Sequence, residues 1–182
     1  MRVGVISDTH IPGVLRALPP RVYEVFADVD IIIHLGDITT LDTLHELEDI
    51  TITIAISGHA DPPSVQQYLP RKTHVQVGRT RRIGMIHGDK EPRRFLDRLV
   101  NWLLGGTPKN ADILPYVYRS FRDDEPKVDV IAFGHSHVPY NRVHAGVLYF
   151  NPGSVIPTKK RPGTIGLLEV DEQRIRGQIV PL

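Results

Sequence analysis

The 182-residue sequence contains no cysteine. That removes disulfides, thiolate nucleophiles and Cys-ligated zinc, and leaves any metal to His, Asp, Glu or Asn side chains. No apolar run approaches the ~20 residues a membrane span requires. The N-terminus, MRVGVISD, turns polar after a few apolar residues, unlike a secretory leader. A soluble, cytoplasmic protein without a membrane partner is expected. An excess of charge of one sign is missing too: the formal net charge is +1, which gives no global footprint for nucleic acid or anionic lipid. RTRR (79–82), KEPRR (90–94) and KKR (159–161) are locally basic and read, one by one, as solvated surface. There is no internal repeat, low-complexity segment or linker. What remains, 41% hydrophobic and 24% charged residues, suits one compact domain over 1–182 with a sizeable core.

RVGVIS (2–7) and DIIIHLGD (30–37) are short β-branched runs ending in polar clusters, as strands buried on both faces do. Between them, Leu15, Leu18, Val22, Val25 and Phe26 recur at helical rhythm, broken by Pro19 and Pro20. LDTLHELED (41–49) is a short amphipathic helix, and TITIAIS (51–57) a third strand. This alternation predicts an α/β fold with crossover connections. THVQVG (73–78) and RIGMIHGD (82–89) read as a hairpin, and further strands are expected at 128–134, 147–150, 164–170 and 175–180. Helices are expected at 93–104 and 112–121, the second with Leu114, Val117, Tyr118 and Phe121 on one side. The stretch 90–127, which holds the only tryptophan, Trp102, is expected to be a lid or interface insertion. Helix 93–104 either closes over a crevice or pairs subunits, so a homo-oligomer stays open.

The residues that can do chemistry stand at strand ends: Asp8 and His10 in DTH, Asp37 in GD, His59 and Asp61 in GHAD, His87 and Asp89 in HGD, and His135 and His137 in GHSH. With a strand period of two, Asp8 and His10 point the same way if the chain stays extended, and so do His135 and His137. In an open α/β sheet the carboxyl ends of the strands line the ligand crevice, so five distant segments can meet there. Any one pair is weak evidence, but the ordered set is strong. His34 reads as core or as a residue behind the ligands, and His45, His74 and His144 as surface. Asp61 and Asp89 either orient ligand histidines or serve turns. Asn151 is expected to start a turn beneath the site, and Ser154 to cap the loop that follows.

In this order the motifs resemble the calcineurin-like metallophosphoesterases, specifically their small single-domain bacterial and archaeal phosphodiesterase branch. FNPGS (150–154) is similar to the segment after that branch's last metal motif. The resemblance implies a four-layer α/β-β/α sandwich, with two mixed sheets face to face and helices outside. It also implies two divalent cations, Mn²⁺ first with Ni²⁺, Zn²⁺ or Fe²⁺ as alternatives. Asp8, His10 and His137 would bind one cation, His59, His87 and His135 the other, and Asp37 both. The implied reaction is hydrolysis of a phosphate ester by in-line attack of a hydroxide bridging the two metals, with Asp37 and His59 as catalytic residues. His59 stands where the family has an asparagine, an exchange of amide oxygen for imidazole nitrogen that suits Mn, Fe, Ni or Zn. Ala60 stands where many family members carry a histidine acid. A chain without that acid favours small phosphodiesters, or monoesters with good leaving groups.

Two rival readings remain open. A protein-interaction scaffold on the same fold would account for His59 and Ala60, although it would have no reason to keep the other six ligand positions. A nuclease-like enzyme would use the basic segments near 79–94, against which the low net charge argues.

Overall fold

The structure, a computed structural model, describes residues 1–89 and 109–182. Among the described residues, ten strands form two five-stranded sheets. In the first, β1 (Arg2–Ile6) is central, parallel to β2 (Ile31–His34), which is in turn parallel to β3 (Thr53–Ala55). On its other side, β9 (Thr164–Val170) and β10 (Ile175–Pro181) add antiparallel, giving the order β10-β9-β1-β2-β3. The second sheet has the order β4-β5-β6-β8-β7. Its inner strands, β5 (Arg81–Ile86), β6 (Val130–Ala132) and β8 (Val147–Asn151), are parallel, and β4 (Lys72–Val77) and β7 (Tyr140–His144) close the edges antiparallel. Both sheets are mixed, as the resemblance implies.

Strand periodicity then sets the layers. Val3, Val5, Ile31 and Ile33 face Val75, Val77, Ile83, Met85, Val130 and Phe150 in one core between the sheets. The alternate residues Ile6 and Ile32 face outward onto Val22 and Phe26 of α1 (Pro20–Phe26) and Leu47 of α2 (Leu41–Glu48). On the far side, Ile86, Ile131 and Phe133 face Ile113, Val117 and Phe121 of α4 (Asn110–Phe121). Each aliphatic or aromatic side chain so buried contributes roughly 1.5–3 kcal/mol. Two glycines let the helices approach closely. A Cβ on Gly4 would lie 2.9 Å from the Phe26 ring, and one on Gly84 would lie 2.5 Å from the Phe121 ring.

The differences from expectation have local causes. The helix expected at 112–121 begins at Asn110 and turns Ile113, Val117 and Phe121 inward, leaving Tyr118 exposed and Leu114 half-buried. Sequence reading did not propose α3 (Pro63–Tyr68), a six-residue helix too short for a periodic signal. Nor did it propose β7, an edge strand whose exposed face carries no apolar alternation. Of the stretch 90–127, the described part supplies α4 to the outer layer, and the helix expected at 93–104 lies outside the described residues. Among the described residues, no helix is long and apolar enough to cross a membrane.

Candidate metal centre

The parallel strands of both sheets end at one edge of the sandwich, and the loops leaving them are stitched together there. Asp8 N–H donates to Gly36 O (3.0 Å), His10 N–H to Asp37 O (3.1 Å), and Gly134 N–H to His87 O (2.9 Å). These bonds do not continue the strands. Asp8, His10, Asp37, His135 and His137 all have φ between 48° and 69°, the left-handed region. Asp and His enter that region more readily than most residues, yet not for free. The expectation that Asp8 and His10, and likewise His135 and His137, share a direction because the chain is extended is therefore corrected. Asp8 and His10 converge because their loop is bonded to the loop after β2. His135 and His137 separate into different groups.

Two groups of potential ligand atoms result, each with its members within 4.8 Å of one another: Asp37, His59, His87 and His135 in one, and Asp8, His10 and His137 in the other. Asp37 Oδ2 lies between them, 3.1 Å from His59 Nδ1, 3.3 Å from His87 Nε2 and 3.7 Å from His10 Nε2. In the second group, Asp8 Oδ1 is 3.3 Å from His137 Nε2, and the Nε2 atoms of His10 and His137 are 3.4 Å apart. All seven residues singled out from sequence come together.

Each carboxylate is half engaged by the protein. Asp8 Oδ2 accepts from Ser7 Oγ (2.6 Å) and His135 N–H (3.2 Å), and Asp37 Oδ1 accepts from Ala60 N–H (2.8 Å). The other oxygens, Asp8 Oδ1 and Asp37 Oδ2, are buried without a hydrogen-bond partner among the described residues, as are His87 Nε2 and His135 Nδ1. Native proteins seldom leave buried polar atoms orphaned, and four such atoms spread over the two ligand groups suit bound cations. His87 is prepared for that role: its Nδ1 donates to Leu35 O (2.7 Å), which leaves Nε2 as the lone-pair nitrogen.

Charge within the cluster is strongly perturbed. Burial pushes the His87 imidazole down, but Asp37, Asp8 and Asp89 outweigh burial and lift it to about 10. Burial pushes Asp37 up, and the imidazoles of His59 and His87 outweigh that, holding its carboxyl far below the ordinary range. Asp8 is lowered likewise, with His137 and His87 overcoming burial. His135 is driven down to about 4 by burial and by neighbouring imidazoles, so the neutral ring keeps one nitrogen lone pair free to bind. The two carboxylates thus favour positive charge at the centre, as a cation would supply.

Other expectations resolve individually. His34 is fully buried behind the site, accepts from Gly36 N–H (3.2 Å) through Nδ1 and meets Thr9 Oγ1 (3.1 Å) through Nε2. Among the described residues, Asp61 makes no hydrogen bond or ion pair to a ligand histidine. Its carboxylate instead accepts the N–H groups of Gly58 (2.7 Å), Thr39 (2.7 Å) and Asp37 (3.1 Å). Asp89 pairs with Arg71. Asn151 accepts from Gly153 N–H (2.8 Å), the turn expected, and Ser154 Oγ accepts from Ile156 N–H (3.1 Å) while donating to Asp8 O (2.8 Å). His45 and His144 are exposed. His74 is not simply surface: it is half-buried, 2.5 Å from Asp124 and edge-on to Phe121. Sequence reading missed Ser7, whose hydroxyl fixes Asp8, and Asn110, which carried no motif.

The calcineurin-like phosphoesterase superfamily domain matches residues 1–173. The chain belongs to that family. A probable metallophosphoesterase of Methanocaldococcus jannaschii, MJ0623, is 33% identical over 183 residues, covering all of this chain and 82% of the relative. A second protein of the same organism, the phosphodiesterase MJ0936, is 25% identical over 183 residues, covering 97% of each chain. Among solved structures, Vps29 of Chaetomium thermophilum superposes with a TM-score of 0.69 at 18% identity, covering 99% of this chain and 97% of that one. At that identity the likeness speaks for the sandwich fold alone.

Proposed function

We propose that this calcineurin-like phosphoesterase is a binuclear metal enzyme that hydrolyses phosphodiesters in preference to monoesters. The observation that carries the reading is the position of Asp37 Oδ2, buried without a hydrogen-bond partner among the described residues, within 3.1–3.7 Å of nitrogens from both ligand groups. Asp8, His10 and His137 would hold one cation, His59, His87 and His135 the other, and Asp37 would be shared. When bound, two divalent cations neutralise phosphate charge and make water nucleophilic at neutral pH.

The chain's own residues prepare the rest. Ser7 and the His135 N–H hold Asp8 with one oxygen facing the centre, and the Ala60 N–H does the same for Asp37. Two carboxylates against two dications leave the site net positive, which draws an anionic ester. Ala60 has no proton to give a leaving group, so esters whose leaving groups depart unaided are favoured. The name of the 25%-identical phosphodiesterase relative points the same way. Imidazole and carboxylate donors suit Mn²⁺, with Ni²⁺, Zn²⁺ and Fe²⁺ also compatible.

The test strips metal from the purified protein, restores Mn²⁺, Ni²⁺ or Zn²⁺, and follows bis-p-nitrophenyl phosphate beside p-nitrophenyl phosphate. The expected result is chelator-sensitive hydrolysis, faster on the diester, that Asp37→Asn abolishes. Hydrolysis of neither ester with any metal would sink the reading and favour a scaffold.

A further inference from the structure

We propose that Asn110, the first residue of α4, is a positioning residue for the loop that carries His135 and His137. This inference rests on the metal-centre reading above. The loop meets two demands at once, since its two histidines, one residue apart, must serve different groups, and each takes a left-handed backbone (φ 69° and 55°). Ser136 between them turns inward and is 1% exposed.

A buried network clamps that turn. Ser136 Oγ donates to Asn110 Oδ1 (2.6 Å) and accepts from Asn151 Nδ2 (3.1 Å) and from Val138 N–H (3.2 Å). The two ends of the loop are held by different amides: Asn151 Nδ2 donates to Gly134 O (3.0 Å), and Asn110 Nδ2 to Val138 O (2.9 Å). Asn110 thus uses both heads of its amide on the five-residue loop, accepting at its centre and donating at its far end. No apolar side chain of similar size can do either. The contact also ties the loop to α4, which packs on the sheet through Ile113, Val117 and Phe121. A left-handed turn persists only where its surroundings over-determine it, and here those surroundings include a helix distant in sequence.

Asn110→Leu keeps the branched outline and removes both bonds to the loop, together with the bond from Asn151 Nδ2 to Asn110 Oδ1 (3.3 Å). Ser136→Ala removes one hydroxyl and leaves Asn110 in place. Partners standing behind metal ligands are worth 10–100-fold in metal affinity. Titration of the metal-stripped full chain with Mn²⁺ is therefore expected to find binding weakened about 10–100-fold in each variant. The double variant should be no weaker than the worse single one, because the residues act together. Excess Mn²⁺ should restore most of kcat, with KM for the diester unchanged. Val117→Ala, a buried change on the same helix that does not touch the loop, should lower stability and leave Mn²⁺ affinity as in the wild type. If Asn110→Leu fails to fold, Ser136→Ala beside Val117→Ala decides. Unaltered Mn²⁺ affinity in a folded Asn110→Leu or Ser136→Ala, or equal weakening in Val117→Ala, overturns the proposal while the metal-centre reading stands. A wild type that takes up none of Mn²⁺, Ni²⁺, Zn²⁺ and Fe²⁺ overturns both.

Discussion

Replacing Asp61 tests whether the site is assembled by backbone hydrogen bonds. Asp61 is 3% exposed. Its Oδ2 accepts from Gly58 and Asp37, and its Oδ1 from Thr39, so one carboxylate joins the loop that carries Asp37 to the loop that carries His59. Asp61→Ala strands those donors. Gly58 and Asp37 are buried, and each unpaired donor costs about 1–3 kcal/mol; Thr39 is half-buried and is reached by water. Burial pushes the Asp61 carboxyl up, and the Gly58 and Thr39 N–H groups offset only part of it, so removing the charge recovers some stability. The balance is a loss of about 2–4 kcal/mol. Asp61→Asn keeps one oxygen for Gly58 and Asp37 and sets an amide N–H against Thr39, which costs about 1 kcal/mol. Urea unfolding reads both: at a slope of ~2 kcal/mol/M the alanine variant should lower the midpoint by about 1–2 M with the slope unchanged. The reasoning fails if Asp61→Ala unfolds within 0.5 M of the wild type, roughly 1 kcal/mol, or if Asn proves as costly as Ala.

Burial drives His34 down to about 3 from an ordinary 6.5, so the folded state binds fewer protons than the unfolded one between those values. Stability contributed by the neutral ring is then complete above pH 6.5 and declines by up to about 1.4 kcal/mol per pH unit as pH falls toward 3. His34→Gln should flatten that decline, and parallel stability profiles from pH 7 to 4 would refute the assignment. Gly84→Ala drives a Cβ to 2.5 Å from the Phe121 ring and should cost about 1–3 kcal/mol, part of it recovered in the double variant with Phe121→Leu. Thermal unfolding indistinguishable from the wild type would show that α4 does not rest on that glycine. His59→Asn should keep two-metal binding and shift preference toward Mn²⁺ over Zn²⁺, since an amide oxygen is a harder donor than imidazole. An unchanged order of metal affinities would remove His59 from the ligand set.

The central strands were legible because both of their faces are buried. In β1 and β2 every position from Val3 to Ile6 and from Ile31 to His34 is buried, and continuous β-branched runs announce such strands. The edges were not. β7 has four exposed residues of five, and its register comes from β8 alone, which leaves no hydrophobic mark in the sequence. Helix α4 was visible by its rhythm but set slightly out of phase. Tyr118 is as apolar as its neighbours, and only the sheet beneath decides that Ile113 faces inward instead.

The site was legible in identity but not in geometry. Asp and His at strand ends can be read from sequence, whereas the left-handed backbone at five of the seven positions cannot. The two facts are connected. A position that demands φ near +55° and must also present a metal-binding side chain leaves few choices, with Asp, Asn and His the residues that tolerate it best. Strain of this kind costs about 1–3 kcal/mol at each position, and the four orphaned buried atoms add to it. Contacts inside the cluster relieve only part of this: Asp37 lifts His87 toward its charged form, while neighbouring imidazoles crowd one another. Divalent cations would satisfy the orphaned oxygens and nitrogens together and bind only the folded arrangement, so by mass action they would stabilise the fold as well as equip the site. A sequence that keeps these strained positions occupied by Asp and His accepts a less stable metal-free protein in return for a centre already shaped for its ions.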